Sequence, residues 1–239
     1  MTDAPYDKIA EEYYDEAHKT SRNFDHTTRV ALEALKNQIP DEGMVLDVGA
    51  GRGRCNEFLG IDPKRVVQLD NSPAMLNVQP REDCLLRIVH DATDLPFLDG
   101  EFACVTAFLC DPFLGLSFLY EVYRVLTVGG LFIATTPSHK WGTALRAELK
   151  IDQSQTRFVR YRAKEEKDKK VIVPSVLIPK IQVQEMLEHV GFREERFEVT
   201  VHCLLSNAEP ISDHIVLPAN ILRCDKHTLG ILYSIVARK

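Results

Sequence analysis

A short apolar strand that runs directly into a glycine-rich loop constrains this chain more than any other feature. Residues 44–48 form the apolar run, and the loop after them contains Gly49, Gly51 and Gly53. Glycine has no Cβ, so a loop of this kind can turn sharply and bring its backbone close to a ligand. A helix is expected to begin at Arg54, and the N–H groups of its first turn have no partner within the helix. This order of elements predicts a ligand site at the end of a strand in an α/β sheet.

The same alternation of strands and helices continues after the loop. The runs that predict strands lie at 65–69, 85–89, 102–109, 131–136, 197–205 and 229–237. Helices are expected after Ser72, over 117–126 and over 181–190. Ser72 stands before Pro73, which is the usual order of an N-cap and a first helical residue. Strands that alternate with helices imply a parallel sheet with right-handed crossovers.

Length and composition predict one domain rather than two. The chain of 239 residues would form a single domain, 1–239, with a helical N-terminal cap over about 1–40 and an insertion over about 138–176. Within the cap, Asp25 is expected to begin a second helix that continues to about Gln38. The net charge of −6 is not that of a generally basic, nucleic-acid-binding surface.

Cysteine usage and hydropathy predict the compartment. The cysteines form no Cys-x-x-Cys pair, so neither a zinc knuckle nor an iron–sulfur site is expected. The N-terminus is acidic and polar, unlike a secretory signal. Asp111 and Pro112 interrupt the most apolar stretch, so no membrane span is expected. These features favour a cytoplasmic protein without a metal.

The acidic residues around the glycine loop distinguish between two kinds of cofactor. Asp70 ends the strand that follows the loop, where a carboxylate can accept hydrogen bonds from both ribose hydroxyls of an adenosine. A dinucleotide site requires Gly-x-Gly-x-x-Gly, but Arg54 stands where the last of those glycines would fall. The carboxylate of Asp47, just before the loop, would repel a pyrophosphate and attract the cationic amino group of S-adenosylmethionine (SAM). The spacing therefore favours SAM.

Several segments resemble class I SAM-dependent methyltransferases. They are the strand and glycine loop at 45–53, the segment around Asp70 at 67–76, the segment 91–97, and the helix and turn at 121–130. The residues from Tyr6 to Asp15 are similar to the first helix of the ubiquinone/menaquinone-biosynthesis-like subfamily, methyltransferase type 11. The resemblance implies an α/β fold, a Rossmann-like seven-stranded mostly parallel sheet with helices on both faces and an antiparallel last strand.

The resemblance also implies which residues bind SAM. The glycine loop would hold the methionine end, Asp70 the ribose, and the residues that follow it the adenine. Other side chains would cover the sulfonium or close over the cofactor. The residues expected at these places are Asp47, Gly49, Ala50, Gly51, Asp70, Asn71, Met75, Asp91, Ala92, Phe108, Tyr14 and Arg22.

Methyl transfer depends more on alignment and a dry pocket than on a strong base. If a base takes part, it is expected at the carboxyl ends of the strands, where an open sheet places its crevice. Asp111 after the fourth strand and His139 after the fifth are the candidate catalytic residues. A role in the turn at Pro112 is an equal alternative for Asp111, as is an exposed loop position for His139.

Three functions remain open from the sequence. The leading one is methyl transfer from SAM to a small-molecule acceptor, at an O, N or C nucleophile. The basic run from Arg157 to Lys170 suggests a tRNA-nucleoside methyltransferase instead, although Glu165, Glu166 and Asp168 interrupt it. The third is a SAM-binding partner protein without catalysis. The insertion that carries the basic run is predicted to be a lid or substrate element, or a solvated helix or hairpin.

Overall fold

A seven-stranded sheet lies at the centre of the computed structural model, which describes residues 4–13, 15–78, 84–165, 170–205 and 210–239. The strands in chain order are β1 (Val45–Val48), β2 (Val66–Asp70), β3 (Leu86–Val89), β4 (Phe102–Ala107), β5 (Leu126–Pro137), β6 (Gln155–Val159), β7 (Lys170–Pro174), β8 (Phe197–Cys203) and β9 (Gly230–Arg238). Strands β6 and β7 form a separate antiparallel hairpin, and the other strands form the main sheet.

The strand order of the main sheet is β3-β2-β1-β4-β5-β9-β8. Strand β1 pairs in parallel with both β2 and β4, so the order reverses beside β1. Strand β9 runs antiparallel to β5 and to β8. The predicted Rossmann-like sheet with an antiparallel last strand is therefore confirmed. In such a sheet ligands bind beyond the carboxyl ends of the strands at the point of reversal, which here lies at the ends of β1 and β4.

Helices pack on both faces of this sheet. They are α1 (Lys19–Glu33), α2 (Arg54–Leu59), α3 (Pro73–Asn77), α4 (Leu116–Val125), α5 (His139–Leu149), α6 (Lys180–Val190) and α7 (Asp213–Ile221). Successive strand side chains point to opposite faces. Val45 of β1 accordingly belongs to the same buried cluster as Phe58 of α2, and Leu46 to the cluster of Phe118 in α4. Burial of each such side chain stabilises the fold by about 1.5–3 kcal/mol.

The N-terminal segment differs from the sequence prediction. Pro5–Lys8 forms a 3-10 turn, and α1 begins at Lys19. The prediction that Asp25 begins a helix is wrong, because Asp25 lies inside α1. Its carboxylate instead faces the guanidinium of Arg54 at 3.4 Å, so ion pairing explains the acidic residue at this place.

Two further elements depart from the prediction. Strand β5 begins at Leu126, so the Gly129-Gly130 pair lies within the strand rather than in a turn before it. The Gly129 N–H donates to the Lys239 carbonyl at 2.9 Å, which ties the chain end to this strand. Helix α7 is absent from the prediction, although Ser212 is its N-cap and accepts a hydrogen bond from the His214 N–H.

The insertion at 138–176 folds into α5 and the hairpin of β6 and β7. The hairpin packs on the N-terminal segment through Phe158, whose ring centroid lies 5.3 Å from that of Tyr13. Within the described ranges, no helix has the length and apolar character that a membrane crossing requires.

Candidate active site

A cleft of about 1200 Å³, including its open mouth, lies at the carboxyl ends of β1, β2 and β4. We call it the glycine-loop cleft. The predicted cofactor-binding residues that line it are Asp47, Gly49, Ala50, Gly51, Asp70, Asn71, Met75, Asp91, Ala92 and Phe108. Tyr14 falls outside the described residues. The cleft thus brings together positions that are far apart in the sequence, while their individual roles stay predictions.

Arg22 does not lie among the residues that line the cleft. Helix α1 instead presents Ser21, Asp25 and Thr28 to it, three residues that share one face of the helix. The predicted role of Arg22 in closing over a cofactor therefore has no support from its position.

Asp70 connects the glycine loop to the start of α3. Its Oδ2 accepts a hydrogen bond from the Gly51 N–H at 2.8 Å, and its Oδ1 accepts one from the Ser72 N–H at 2.9 Å. Each carboxylate oxygen has a second lone pair. Asp70 can therefore hold the loop and still accept two hydroxyl groups from a ligand. Burial raises the pKa of Asp70, and these backbone bonds oppose that rise.

Asp47 is the more deeply buried carboxylate of the cleft. It is 2% exposed, and its Oδ1 accepts a hydrogen bond from the Thr106 hydroxyl at 2.7 Å. Desolvation raises the pKa of Asp47 to about 6, and the bond from Thr106 opposes this rise. A cationic ligand group would relieve the cost of this buried charge. The donor and acceptor pattern of the cleft therefore fits SAM, whose methionine end carries an ammonium group.

Gly49 has a conformation and surroundings that only glycine allows. Its φ is +65°, and a Cβ at this position would lie 2.7 Å from the Phe113 ring. Phe113 itself lines the glycine-loop cleft, so an aromatic ring covers the backbone of the loop. The sequence analysis missed Phe113, since no spacing rule connects it to the glycines.

A second cavity adjoins the glycine-loop cleft. It encloses about 1720 Å³, again including its mouth, and shares Tyr6, Tyr13, Ser21 and Leu109 with the cleft as lining residues. Leu109 has a φ of +52°, a left-handed conformation that costs about 1–3 kcal/mol for a residue with a side chain. Its N–H donates to the Thr135 hydroxyl at 3.0 Å, which helps to hold this strained turn where the two spaces meet.

Aromatic side chains form much of the wall of the second cavity. Trp141 of α5 lies edge-on to Phe24 of α1, with ring centroids 4.8 Å apart. Phe158 of β6 contacts Tyr6 and Tyr13. All five line the second cavity. The insertion therefore contributes directly to this cavity, and Trp141 both packs the insertion and forms part of the wall.

Of the two candidate catalytic residues, only Asp111 lies at the second cavity. It is buried, and its Oδ2 accepts a hydrogen bond from the Ser175 hydroxyl, which in turn accepts one from Arg146. Burial raises the pKa of Asp111 to about 6, while Ser175 and Arg146 oppose the rise. His139 lines neither space, because it begins α5 and the helix presents Trp141 and its neighbours to the cavity.

A further histidine, His18, lies near the aromatic wall, with its ring centroid 6.5 Å from that of Phe158. It lines the second cavity and is 8% exposed. Its Nε2 is buried and has no hydrogen-bond partner within the part of the chain that the structure describes. Desolvation lowers its pKa, although Glu12 and Asp15 act in the opposite direction. Burial beside the aromatic wall thus favours the neutral form of the His18 imidazole.

The basic run of the insertion is divided between two environments. Arg160 lies 3.4 Å from the carboxylate of Glu12, and Arg162 forms an ion pair with Asp15. Arg157 and Lys170 instead line the second cavity. The N-terminal segment therefore neutralises part of the run.

Comparison with known proteins supports the family that the motifs resemble. The family described as a methyltransferase domain matches residues 46–134. A curated demethylmenaquinone methyltransferase of Clavibacter sepedonicus is 33% identical over 139 residues, which cover 54% of this chain and 55% of the relative. The chain thus spans about half the length of the curated relative it matches.

Solved structures share the whole architecture. A methyltransferase of Haloferax volcanii, solved in a complex with the Trm112 methyltransferase activator, has 18% identity and a TM-score of 0.66, with 99% of each chain covered. A SAM-dependent methyltransferase of Thermotoga maritima has 19% identity and a TM-score of 0.61, with 98% of each chain covered. At these identities the similarity shows the fold.

Proposed function

We propose that this chain, which carries a class I SAM-dependent methyltransferase domain of the type 11 kind, transfers a methyl group from SAM to a small-molecule acceptor in the second cavity. One observation carries the proposal. The second cavity meets the glycine-loop cleft at Tyr6, Tyr13 and Leu109, so a cofactor in one space and an acceptor in the other would be neighbours.

The residues of the cleft would bind and orient SAM. Asp47 would face the ammonium group of SAM. The glycine loop would contact the methionine end, and Asp70 would bind the ribose. When bound, SAM supplies a methyl group that is attached to a sulfonium. The sulfur leaves as a neutral thioether, so the methyl group needs little further activation. The remaining task of the protein is alignment and the exclusion of water. Tyr6 and Tyr13 are placed to do both, because they line the junction of the two spaces.

A base, where the acceptor requires one, would come from the second cavity. Asp111 is the predicted candidate that lies there, and with a pKa of about 6 its carboxylate is ionised at neutral pH. It could accept the proton that an O–H or N–H nucleophile loses on methylation. The bond from Ser175 would keep the carboxylate oriented.

The tRNA alternative loses support from the ion pairs of the insertion. Arg160 and Arg162 face carboxylates of the N-terminal segment, so they are less available to phosphates. Arg157 and Lys170 are exposed and have no salt bridge among the described residues, but they line the second cavity.

Methyl transfer from isotope-labelled SAM tests the proposal. We would incubate the protein and labelled SAM with two fractions of a cell extract in separate reactions. One fraction contains the small molecules and the other the total tRNA. Label in a small molecule is expected. Label in tRNA alone would support the alternative, and SAM binding without label in either fraction would support the non-catalytic partner.

A pair of variants at the second cavity sharpens this test. Ala17 and the adjacent Glu16 are both exposed, but only Ala17 lines the cavity. Ala17→Trp should place an indole in the cavity and reduce methyl transfer at least about tenfold, with the affinity for SAM unchanged. Glu16→Trp should leave both properties unchanged. Equal activity in the two variants would show that the acceptor does not occupy this cavity.

A further inference from the structure

The lining of the second cavity indicates what kind of acceptor it takes, given the proposed function. Part of its wall is aromatic, as the contacts of Trp141 with Phe24 and of Phe158 with Tyr13 show. Flat rings in offset or edge-to-face contact favour a flat, aromatic ligand. The same wall would stabilise a bound sugar, or another strongly hydrated molecule, only weakly.

The charges that line the cavity fall into an inner and an outer group. The inner group is Asp111 and buried Arg146, which bond to the same Ser175 hydroxyl and offset one another. The outer group consists of exposed residues, the cations Lys19, Arg157 and Lys170 with one acidic residue, Asp213. The mouth is therefore positive.

This positive mouth contrasts with the rest of the molecule. The whole chain has a net charge of −6. Arg160 and Arg162 of the same insertion have carboxylate partners, but Lys19, Arg157 and Lys170 take part in no salt bridge among the residues that the structure describes. A local excess of one charge at the opening of a cavity attracts ligands of the opposite sign and repels ligands of the same sign.

We propose that the second cavity takes an aromatic acceptor that carries an anionic group, with its ring against the aromatic wall around Trp141 and Phe158 and its anion at Lys19, Arg157 and Lys170. The cations bind the negative charge at the rim, so the ring can enter the cavity while the charge stays hydrated. A cationic amine of the same size meets like charge at the mouth. This inference rests on the proposed function, since it names the substrate class of the same site.

Three matched phenols test the inference. They are 3-hydroxybenzoate, 3-hydroxybenzamide and 3-hydroxybenzylamine, which differ mainly in charge. Each is titrated into the protein saturated with S-adenosylhomocysteine, in about 50 mM and about 500 mM salt. We expect the anion to bind about tenfold more tightly than the amide at low salt, the amine to bind most weakly, and the preference to shrink at high salt.

Variants identify the residues responsible. The triple variant Lys19→Gln/Arg157→Gln/Lys170→Gln should lower the affinity for the anion to that for the amide and leave the amide unaffected. Lys64→Gln is the matched control, because Lys64 is exposed and lines neither space. Equal affinities for anion and amide, a preference that survives in the triple variant, or no binding of any of the three up to about 5 mM would overturn the inference.

The failure of this inference is separable from failure of the proposed function. If S-adenosylhomocysteine binds but the three phenols show none of the expected preference, only the acceptor class is wrong. If S-adenosylhomocysteine itself does not bind, the proposed function fails and the inference fails with it.

Discussion

The glycine-loop cleft and the second cavity are neighbours, yet they are built in different ways. The cleft is formed mainly at the ends of β1, β2 and β4 and by the residues that directly follow these strands. The second cavity combines the N-terminal segment, α5, the β6–β7 hairpin and the start of α7. Such a division lets one part of a chain keep a common cofactor while the other part adapts to an acceptor.

The two spaces also use buried carboxylates differently. Asp47 and Asp70 receive bonds from Thr106 and from backbone N–H groups, and the lining of the cleft has more carboxylates than basic side chains. Asp111 instead connects through Ser175 to Arg146. The cleft therefore has unbalanced negative charge for a cationic ligand, whereas the carboxylate of the second cavity is already offset. The predictions below should affect one space and spare the other.

The largest effect is expected at Asp70. Asp70→Asn would place an amide nitrogen near the N–H groups of Gly51 or Ser72 and would remove the charge that accepts hydroxyl groups. The affinity for SAM should fall by about 1.5–3 kcal/mol in calorimetric titration. Asp62→Asn is the control, because Asp62 lies before the opposite end of β2 and lines neither space. Equal affinities of the two variants would remove Asp70 from the cofactor site.

Ser175→Ala tests the other space. It leaves the buried carboxylate of Asp111 without its hydroxyl donor, so the free energy of unfolding should fall by about 1–3 kcal/mol in urea denaturation. The affinity for SAM should not change. Ser154→Ala is the control, because that hydroxyl bonds to Asp152 at the surface. A marked loss of SAM affinity in Ser175→Ala would show that the two spaces are energetically coupled.

The pH dependence of SAM binding should follow the titration of the Asp47 carboxylate. Its pKa in the folded protein is about 6, and the ammonium group of SAM favours the ionised carboxylate. Binding therefore releases a proton below about pH 6, so the affinity should fall by up to about tenfold per pH unit as the pH drops further, and level off above about pH 7. Asp47→Asn should remove this slope.

Asp111 provides the matched comparison for that slope. Its pKa is also about 6, but it lines only the second cavity. Asp111→Asn should therefore leave the pH dependence of SAM binding unchanged. A slope that disappears in Asp111→Asn and persists in Asp47→Asn would reverse the assignment of the two carboxylates.

The smallest effect is expected at Thr106. Thr106→Val keeps the shape of the side chain and removes the hydroxyl that donates to Asp47 at 2.7 Å. Because that bond favours the ionised form, its loss should move the midpoint of the pH dependence upward by about half a unit to one unit. A downward movement would mean that the bond does not stabilise the carboxylate.

The sequence predicts the cleft well because its signals are local. The predicted helix over 54–59 matches α2, and Ser72 caps α3 as expected, accepting a bond from the Met75 N–H. Asp70 ends β2, and β2 lies parallel to β1, so its carboxylate lies at the same edge of the sheet as the glycine loop. In a parallel sheet, strand order alone brings such positions together.

The second cavity could not be predicted in this way because its parts meet only through tertiary packing. Nothing in the spacing of Tyr13 and Phe158 indicates that their rings touch. His139 shows the limit of an argument from strand ends, since the residue does follow β5 but its helix presents another face to the cavity. Helix α7 did have a local signal, Ser212 followed by Asp213 and an apolar run, so it could have been found.

A crystal structure of the complex with S-adenosylhomocysteine tests the central claim most directly. We expect the ribose hydroxyls to contact the carboxylate of Asp70, the ammonium group to face Asp47, and the sulfur to lie toward Tyr13 and Leu109, where the second cavity begins. A ligand bound outside the glycine-loop cleft, or one whose sulfur points away from that junction, would contradict it.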